Sequence, residues 1–341
     1  MITRGRLEVI LSKFDKVKLL MVGDFFIDQY LMLERSLSEV SLETDLEAYQ
    51  VREVWNALGA AGSVVNNLYT LGVEISVLGM RGLDANGWVM KQLMNEMNIN
   101  DKALLRVQDI HTPTYIKPMM REVDGSVHEL NRIDIKNRKP TSRDAEAQLK
   151  ILLVNLISQV DGVLVTDQVQ EEGCGVVTEG LRAALAMIGN GFPEKPIWVD
   201  SRERSGMFSN VGLKLNYDEA CRALKIDLAV QVDPESIARR YYAQNNRPVL
   251  ITLGERGCCY CDEVSSGVIP GVRVAPPIDI VGAGDSFLAA FGCSLCAGAT
   301  LQEAAFIGNL AASVTIKKIG TTGTVCRAEL IRALECYQEQ Q

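Results

Sequence analysis

Short apolar runs and longer amphipathic stretches alternate along most of the chain. Residues 17–23 form a nearly continuous apolar run that stops at Asp24, which is typical of a buried parallel strand ending at the functional edge of a sheet. This pattern predicts further strands at residues 73–79, 160–166, 197–200, 213–216 and 248–253, and helices at 63–71, 87–97, 176–188, 218–224, 285–298 and 301–318. Such alternation predicts an α/β fold in which helices cover both faces of a mostly parallel sheet.

Two stretches depart from this rhythm. Residues 30–55 and 114–136 alternate apolar and polar positions without a long helical pattern, and the second contains the turn dipeptide Asp124-Gly125. They predict a small antiparallel sheet that forms a lid, at about residues 30–56 and 110–136, over the edge of the main sheet. The alternative is an ordinary extension of the main sheet at its edge.

Composition and charge narrow the functional classes. Of the 341 residues, 47% are hydrophobic and 23% are charged, as in ordinary globular proteins, and the net charge of −8 disfavours a nucleic-acid partner. The only histidines are His111 and His128, which leaves little for a mechanism based on a histidine pair. The N-terminal segment carries charges throughout, and the longest apolar stretch, residues 287–299, is too short to span a bilayer. We therefore expect a cytoplasmic protein with no membrane partner.

Nine cysteines include two C-x-x-C pairs, Cys258/Cys261 and Cys293/Cys296. Such pairs occur in zinc sites. The first pair, however, lies in a strand-like segment, where side chains three positions apart point to opposite faces. The second pair lies in an apolar helical segment, where cysteine is a small core residue. Buried thiols in a reducing compartment are the favoured interpretation.

The strongest local signal for chemistry is the glycine-rich turn at residues 279–287, which leads into an apolar helix. Gly282 and Gly284 let the backbone approach a ligand closely, and the free N–H groups at a helix start bind anions. Asp285 follows in the first helical turn, where a carboxylate is either a simple favourable charge on the helix dipole or the base for phosphoryl transfer to a hydroxyl. The chain lacks a G-x-x-x-x-G-K-[ST] motif, and residue 287 is Phe rather than the third glycine of a dinucleotide fingerprint.

With that segment, the sequence resembles the ribokinase-like carbohydrate kinases of the phosphofructokinase-B type, whose signature is D-T-x-G-A-G-D-[ST]-F. The resemblance covers nearly the whole chain, and the opening motif is closest to the heptose-phosphate kinase branch. The other matching segments are G-D-x-x-x-D-x-Y at 23–30, G-G-x-x-N-x-A-x-N-L (loosely) at 59–68, R-[LI]-D at 132–134, N-x-x-E at 216–219 and T-x-G-x-x-G at 252–257. The resemblance implies a single domain over residues 1–341, with a three-layer α/β/α fold and a small antiparallel β lid.

The resemblance also implies residue roles, with ATP and Mg²⁺ as cofactors and a sugar or sugar phosphate as substrate. Asp285 would be the general base, and the amides of Gly282, Ala283 and Gly284 would form the anion hole. The implied nucleotide-side residues are Asn216, Glu219, Thr252, Gly254, Gly257 and Asn309, and the implied acceptor-side residues are Asp24, Asp28, Gly59, Ala60, Ser63 and Arg132. Glu219 would hold Mg²⁺ through water, and the family also admits a monovalent cation such as K⁺ near Asp279.

Outside the family context, some of these residues have plainer interpretations. N-x-x-E is also a common helix start, and Asn309 would be a surface residue of a late helix. Lys117, Arg121 and Arg132 lie on the predicted lid, where they would bind a substrate phosphate or, as the favoured alternative, remain solvated charges.

Two departures from the family pattern concern the acceptor. The second glycine of the sugar signature is missing, with Leu58 or Ala60 in its place depending on the register, and the signature asparagine is Ser63. The sugar therefore cannot be named. The chain ends about twenty residues after Gly320, so we expect no second, nucleotidyl-transferring domain.

A sugar or sugar-phosphate kinase is the favoured function, and two alternatives remain. One is a kinase of the same fold for a nucleoside or vitamin, and the other is a non-catalytic sugar or nucleotide sensor. Because lid strands in this family pair between subunits, we also expect a homodimer.

Overall fold

A computed structural model describes residues 2–230, 232–320 and 322–340. Its strands divide between a large nine-stranded sheet, a small five-stranded sheet and a two-stranded ribbon. The strands are β1 (Lys18–Gly23), β2 (Phe25–Glu34), β3 (Glu39–Val40), β4 (Glu47–Ala48), β5 (Val51–Ala60), β6 (Glu74–Gly82), β7 (Asn100–Val107), β8 (Thr114–Arg121), β9 (Val127–Glu129), β10 (Ile133–Ile135), β11 (Gly162–Asp167), β12 (Ile197–Ser201), β13 (Gly212–Asn216), β14 (Val249–Thr252), β15 (Cys258–Cys261) and β16 (Ser266–Ile269).

Ten helices are seen in the described residues. They are α1 (Arg4–Leu11), α2 (Ala61–Leu71), α3 (Ala85–Glu96), α4 (Arg143–Ile157), α5 (Glu179–Gly191), α6 (Tyr217–Ala223), α7 (Pro234–Asn245), α8 (Ala283–Cys296), α9 (Leu301–Thr315) and α10 (Arg327–Glu339). None of them is long and apolar enough to cross a membrane.

The large sheet has the order β16-β15-β14-β13-β12-β11-β1-β6-β7. From β14 to β7 all neighbours are parallel, and β15 and β16 add an antiparallel edge. Alternate side chains of β1 enter two separate cores: Leu19 and Met21 pack with α2, α8 and α9, and Leu20 and Val22 pack with α4 and α5. The predicted three-layer α/β/α fold is confirmed.

The small sheet has the order β10-β8-β2-β5, with β9 paired to β8. Its pairings are antiparallel except for β2 with β8, which run parallel. β2 leaves β1 after the single residue Asp24, and β5 leads directly into α2, so the lid is joined closely to both a strand of the large sheet and a helix that covers it. It is a separate sheet rather than an edge extension of the main one, and it begins at Phe25 and returns at Ala60, beyond the predicted limits.

The parallel strands bring several polar residues to one edge of the large sheet. β1 is followed by Asp24, and β11, β12, β13 and β14 end at or beside Asp167, Asp200, Asn216 and Thr252. Ligands of open α/β sheets bind outside the carboxyl ends of the strands. The cysteine pairs lie where the sequence places them, in β15 and α8, and their thiols are free.

Candidate active site

The glycine-rich turn ends at Gly282, the N-terminal capping residue of α8. Gly282 has φ of 79°, and a Cβ atom there would come within 2.7 Å of the Thr322 side chain, so the position requires glycine. The Ala283 N–H donates to the Ile280 carbonyl at 3.2 Å and closes the turn. Of the three amides predicted for the anion hole, that of Ala283 is therefore engaged in a turn in this structure, which leaves Gly282 and Gly284 as the better candidates.

Asp285 lies half-buried in the first turn of α8. Burial raises the pKa of its carboxyl group to about 7, and repulsion from Asp200 adds to the increase. Lys214 and Arg202 act in the opposite direction. Because the capping residue is Gly282, Asp285 does not cap the helix, and its carboxylate forms no hydrogen bond or ion pair with any described residue. A carboxyl group with a pKa near neutrality is suited to accept a proton at physiological pH.

Lys214 lies beside the predicted anion hole. A Cβ atom on Gly284 would be 3.0 Å from the Lys214 Nζ atom, so glycine leaves the space that this ammonium group uses. Lys214 is buried and forms an ion pair with buried Asp200. Burial alone would lower the pKa of Lys214, but the attraction of Asp200 outweighs it and raises the pKa, so the ammonium group stays charged.

The Asp200–Lys214 pair was missed by the sequence analysis. The sequence feature that could have indicated this pair is Lys214 itself, the single charged residue in the apolar strand β13. Its partner is the next-to-last residue of β12, the neighbouring strand, and the two residues are fourteen positions apart in the sequence. Arg202, which follows β12, was missed as well.

The N-x-x-E segment forms a capping box at the start of α6. The Asn216 side chain accepts from the Glu219 N–H, and the Glu219 side chain accepts from the Asn216 N–H, each at 2.8 Å. The plain helix-start interpretation is therefore correct as local structure. Burial and the negative charge of Asp200 raise the pKa of Glu219, which makes this site favourable for a cation.

The T-x-G-x-x-G segment follows β14. Gly254 has φ of 62° and nothing within 4 Å of a Cβ atom built on it, so its backbone faces open space. Gly257 has φ of 92° and lies against the Ile269 carbonyl, where a side chain would clash. The Thr252 hydroxyl donates to the Leu215 carbonyl at 3.3 Å.

Asn309 is buried, so its interpretation as a surface residue is wrong. Its Nδ2 atom donates to the Pro270 carbonyl at 3.1 Å and thereby supports the loop that follows β16. An adenine contact of Asn309 stays a prediction.

Asp28, a predicted acceptor-side residue, lies on β2. It is buried, and its negative charge adds to the raised pKa of Asp285, after the larger effects of burial and Asp200. A Cβ atom on Gly59 would be 2.8 Å from the Asp28 Oδ2 atom, so glycine at position 59 makes room for this carboxylate. Lys117 forms an ion pair with Asp28 at 3.2 Å.

Asp24 is also buried, but its carboxylate is fully engaged. It accepts backbone N–H groups from Gln168, Val169 and Val176 at 3.0, 3.1 and 2.7 Å. Burial and the charge of Asp167 nevertheless raise the pKa of Asp24 to about 6. In this structure Asp24 fixes the loop after β11, and a direct sugar contact stays a prediction.

The remaining acceptor-side residues lie at the root and rim of the lid. Ala60 precedes α2 with φ of 53° and ψ of −118°, a conformation that glycine adopts more readily than alanine, and the register of the family's second glycine stays a prediction. Ser63 is buried in α2. Arg132 forms a two-bond ion pair with Asp134, at 2.6 and 2.9 Å, and lies over the Tyr115 ring.

Asp279 closes the turn before α8. Its carboxylate accepts the N–H groups of Val281 at 3.0 Å and Gly320 at 3.2 Å. It therefore joins the glycine-rich turn to the loop after α9, and a cation there stays a prediction.

Comparison with known proteins assigns the chain to a family. A model of the pfkB family of carbohydrate kinases matches residues 16–326. The bifunctional protein HldE of Desulfatibacillum aliphaticivorans is 30% identical over 329 residues, which cover 95% of this chain and 64% of that protein. HldE of Trichlorobacter lovleyi is 29% identical over 343 residues, which cover 97% and 65%. The chain thus spans less than two thirds of the length of these relatives.

Solved structures show the same fold. Phosphofructokinase-2 from Escherichia coli, in complex with potassium, has a TM-score of 0.69 at 16% identity and covers 94% of this chain and 99% of its own. Arabidopsis thaliana ribokinase, complexed with ribose and ATP, has a TM-score of 0.65 at 17% identity, with 94% and 98% covered. These identities show the fold alone, which is ribokinase-like. Because the family model extends over most of the sequence, including both the lid and the glycine-rich turn, the chain belongs to the pfkB family of carbohydrate kinases.

Proposed function

We propose that this chain transfers the terminal phosphate of ATP to a hydroxyl group of a sugar or sugar phosphate. The observation that carries the proposal is the position of Asp285. Its carboxyl group has a pKa of about 7 and lies in the first turn of α8, next to a backbone turn that requires glycine and a buried ammonium group. This combination provides a base for the acceptor and positive partners for the phosphate.

The proposed step is a direct transfer. The acceptor hydroxyl gives its proton to Asp285 as its oxygen forms a bond to the terminal phosphorus, and the bond from that phosphorus to the bridging oxygen breaks to release ADP. The backbone N–H groups at the start of α8 and the Lys214 ammonium group stabilise the negative charge on the phosphate oxygens. Asp200 keeps Lys214 charged and in place.

The oxygen atoms near α6 are suitable for magnesium. Mg²⁺ prefers oxygen ligands and is commonly held by one or two carboxylates together with substrate phosphates. Glu219 keeps one carboxylate oxygen outside the capping box, and burial, followed by the negative charge of Asp200, raises its pKa. When bound, Mg²⁺ would neutralise charge on the nucleotide phosphates. A monovalent cation near Asp279 is a further proposal, supported by the potassium complex of the Escherichia coli structure.

A panel of acceptors with ATP and Mg²⁺, read by ADP release, tests the proposed function. The panel should hold free sugars, sugar phosphates, nucleosides and vitamin alcohols. We expect turnover with a sugar or sugar phosphate, which is supported by membership of the pfkB family of carbohydrate kinases and by the polar Asp28–Lys117 pair. Turnover only with a nucleoside or vitamin would contradict the proposed sugar substrate and make the chain a nucleoside or vitamin kinase. Acceptor binding without ADP release from any compound would contradict the kinase assignment and favour a sensor.

We also propose that two copies associate through the lid. β5 is an edge strand of the small sheet, and Val51 and Val54 are about half exposed, at 46% and 55%. An unpaired, apolar edge strand readily pairs with another strand. Light scattering at micromolar concentration should give twice the chain mass, and a monomer mass would contradict the proposal.

The proposed compartment is the cytoplasm, because the reaction uses ATP and the chain's cysteines are free thiols. Cell fractionation that found the protein elsewhere would contradict this.

A further inference from the structure

The inner face of the lid carries a compact group of polar and aromatic side chains. In the strand register, Asp28 lies opposite Tyr115, and Tyr30 lies opposite both Lys117 on β8 and Trp55 on β5. Since side chains alternate between the faces of a strand, Tyr30, Trp55 and Lys117 share the face of Asp28. The Tyr30 and Trp55 rings are stacked, with centroids 5.1 Å apart and planes within 2°.

Lys117 is held between two of these residues. Its Nζ atom is 3.2 Å from the Asp28 Oδ1 atom and 3.2 Å from the Tyr30 hydroxyl, and it lies 4.9 Å from the Tyr30 ring centroid. Its side chain is only 15% exposed, so the interpretation of Lys117 as a solvated lid charge is wrong. Burial alone would lower the pKa of Lys117, but the attraction of Asp28 and Tyr30 outweighs burial and raises it. The ammonium group is therefore fixed and charged beside the predicted acceptor ligand.

We propose that Lys117 determines acceptor specificity together with Asp28, and that the pair binds two neighbouring oxygen atoms in an uncharged part of the acceptor. The inference rests on the proposed function and deepens it. Asp28 accepts a hydrogen bond from one hydroxyl group, and Lys117 donates to the oxygen next to it. The exposed part of Trp55, 41% of its surface, offers an apolar face for the acceptor's carbon atoms.

Charge balance favours an uncharged contact over a phosphate group. The charge of Lys117 is already neutralised by Asp28, so the pair has no net charge. A phosphate bound to Lys117 would also face the buried Asp28 carboxylate, and like charges at that distance repel strongly in a partly buried site. A phosphate ester elsewhere on the acceptor is compatible with the proposal, but Lys117 would not be its ligand.

Equilibrium binding tests this directly, because it does not require phosphoryl transfer. The probes are D-fructose, D-mannose and D-ribose, each with its terminal phosphate ester, titrated by calorimetry with and without a non-hydrolysable ATP analogue. The variants are Lys117→Met and Lys117→Arg, with Lys150→Met as the control. Lys150 forms a partly exposed ion pair with Glu146 on α4, so the control removes a lysine charge outside the lid.

For each sugar and ester that the wild-type protein binds, Lys117→Met should lower the affinity for both compounds by the same factor, about 10–100-fold. This factor corresponds to loss of a charge-assisted hydrogen bond. Lys117→Arg should retain part of the affinity, and Lys150→Met should leave it unchanged. Weakening of the esters alone would make Lys117 a phosphate ligand and overturn the proposal. Unchanged affinity with a lowered melting temperature would make its role structural and overturn it too.

If Lys117→Met does not fold, the same comparison is made with Lys117→Arg, whose planar group cannot reproduce the single-point contact. If none of the probes binds to the wild-type protein in either condition, the sugar-kinase proposal fails rather than the assignment of Lys117.

Discussion

At the scale of single residues, opposing charges set the pKa of Asp285. Burial and Asp200 raise it to about 7, whereas Lys214 and Arg202 lower it. A base must be deprotonated to accept a proton, so activity should rise with pH through about 7. Arg202 is exposed and follows β12, so its charge can be removed without opening the core.

Arg202→Gln should therefore move the acid limb of the pH profile of kcat/KM to higher pH. The physical reason is that loss of a nearby positive charge makes the ionised Asp285 carboxylate less favourable. The measurement is ADP release across the pH range, with Arg143→Gln, an exposed change at the start of α4, as control. An unchanged acid limb would contradict the prediction that the charge of Arg202 lowers the pKa of Asp285.

The ionised carboxylate of Asp285 should lower the free energy of unfolding, and Asp285→Asn tests this. The pKa of Asp285 is about 7 when folded against an ordinary value of 3.8, so folding favours the protonated form. The ionised carboxylate therefore destabilises the fold above pH 7, and the cost disappears as pH falls below 3.8. The neutral variant should be more stable by about 1–2 kcal/mol at pH 8 and equal to wild type near pH 4. Urea unfolding at both pH values measures this, and a variant less stable at pH 8 would contradict it.

At the scale of elements, the junction of β5 and α2 stores backbone strain. Ala60 has φ of 53° and ψ of −118°, a conformation that residues with a Cβ atom rarely adopt. Such strain costs about 1–3 kcal/mol, whereas the extra freedom of glycine in the unfolded chain costs about 0.4–1 kcal/mol. Alanine at position 60 is therefore expected to cost more free energy than glycine would.

Ala60→Gly should raise the free energy of unfolding by about 1 kcal/mol. Ala61→Gly is the matched control, because Ala61 is fully buried in the first turn of α2 and its replacement should lower stability. Chemical denaturation compares the two. A loss of stability in both variants would mean that the backbone at Ala60 is not strained.

Elements with a simple apolar pattern were predicted from sequence, whereas several helices with a largely polar surface were not. The central strands β1, β11 and β13 are buried along most of their length and appear as apolar runs. Helices α4, α7 and α10 were missed because each buries only a narrow stripe, as in α7, where two arginines separate the buried Ile237 and Ala238 from the buried Tyr241. The predicted ends of α8 and α9 were two or three residues too late.

At the scale of the whole molecule, the site depends on pairings between distant segments. The motif residues Asp285, Asn216 and Asp28 were found from sequence because each belongs to a local pattern. Lys214 forms its ion pair with Asp200 on another strand, and Lys117 forms its ion pair with Asp28. No local sequence pattern predicts pairs between residues on different strands. The fold provides them by ending parallel strands at one edge and by attaching the lid directly to β1 and α2.

The most direct test of the account is the turnover of Asp285→Asn with the best acceptor of the panel, ATP and Mg²⁺. The control is Asp144→Asn, which changes an exposed aspartate in the first turn of α4. If Asp285 accepts the hydroxyl proton, its variant should lose about 10²–10⁴-fold in kcat while it still binds acceptor and nucleotide, and the control should keep wild-type turnover. Wild-type turnover in Asp285→Asn would contradict the account.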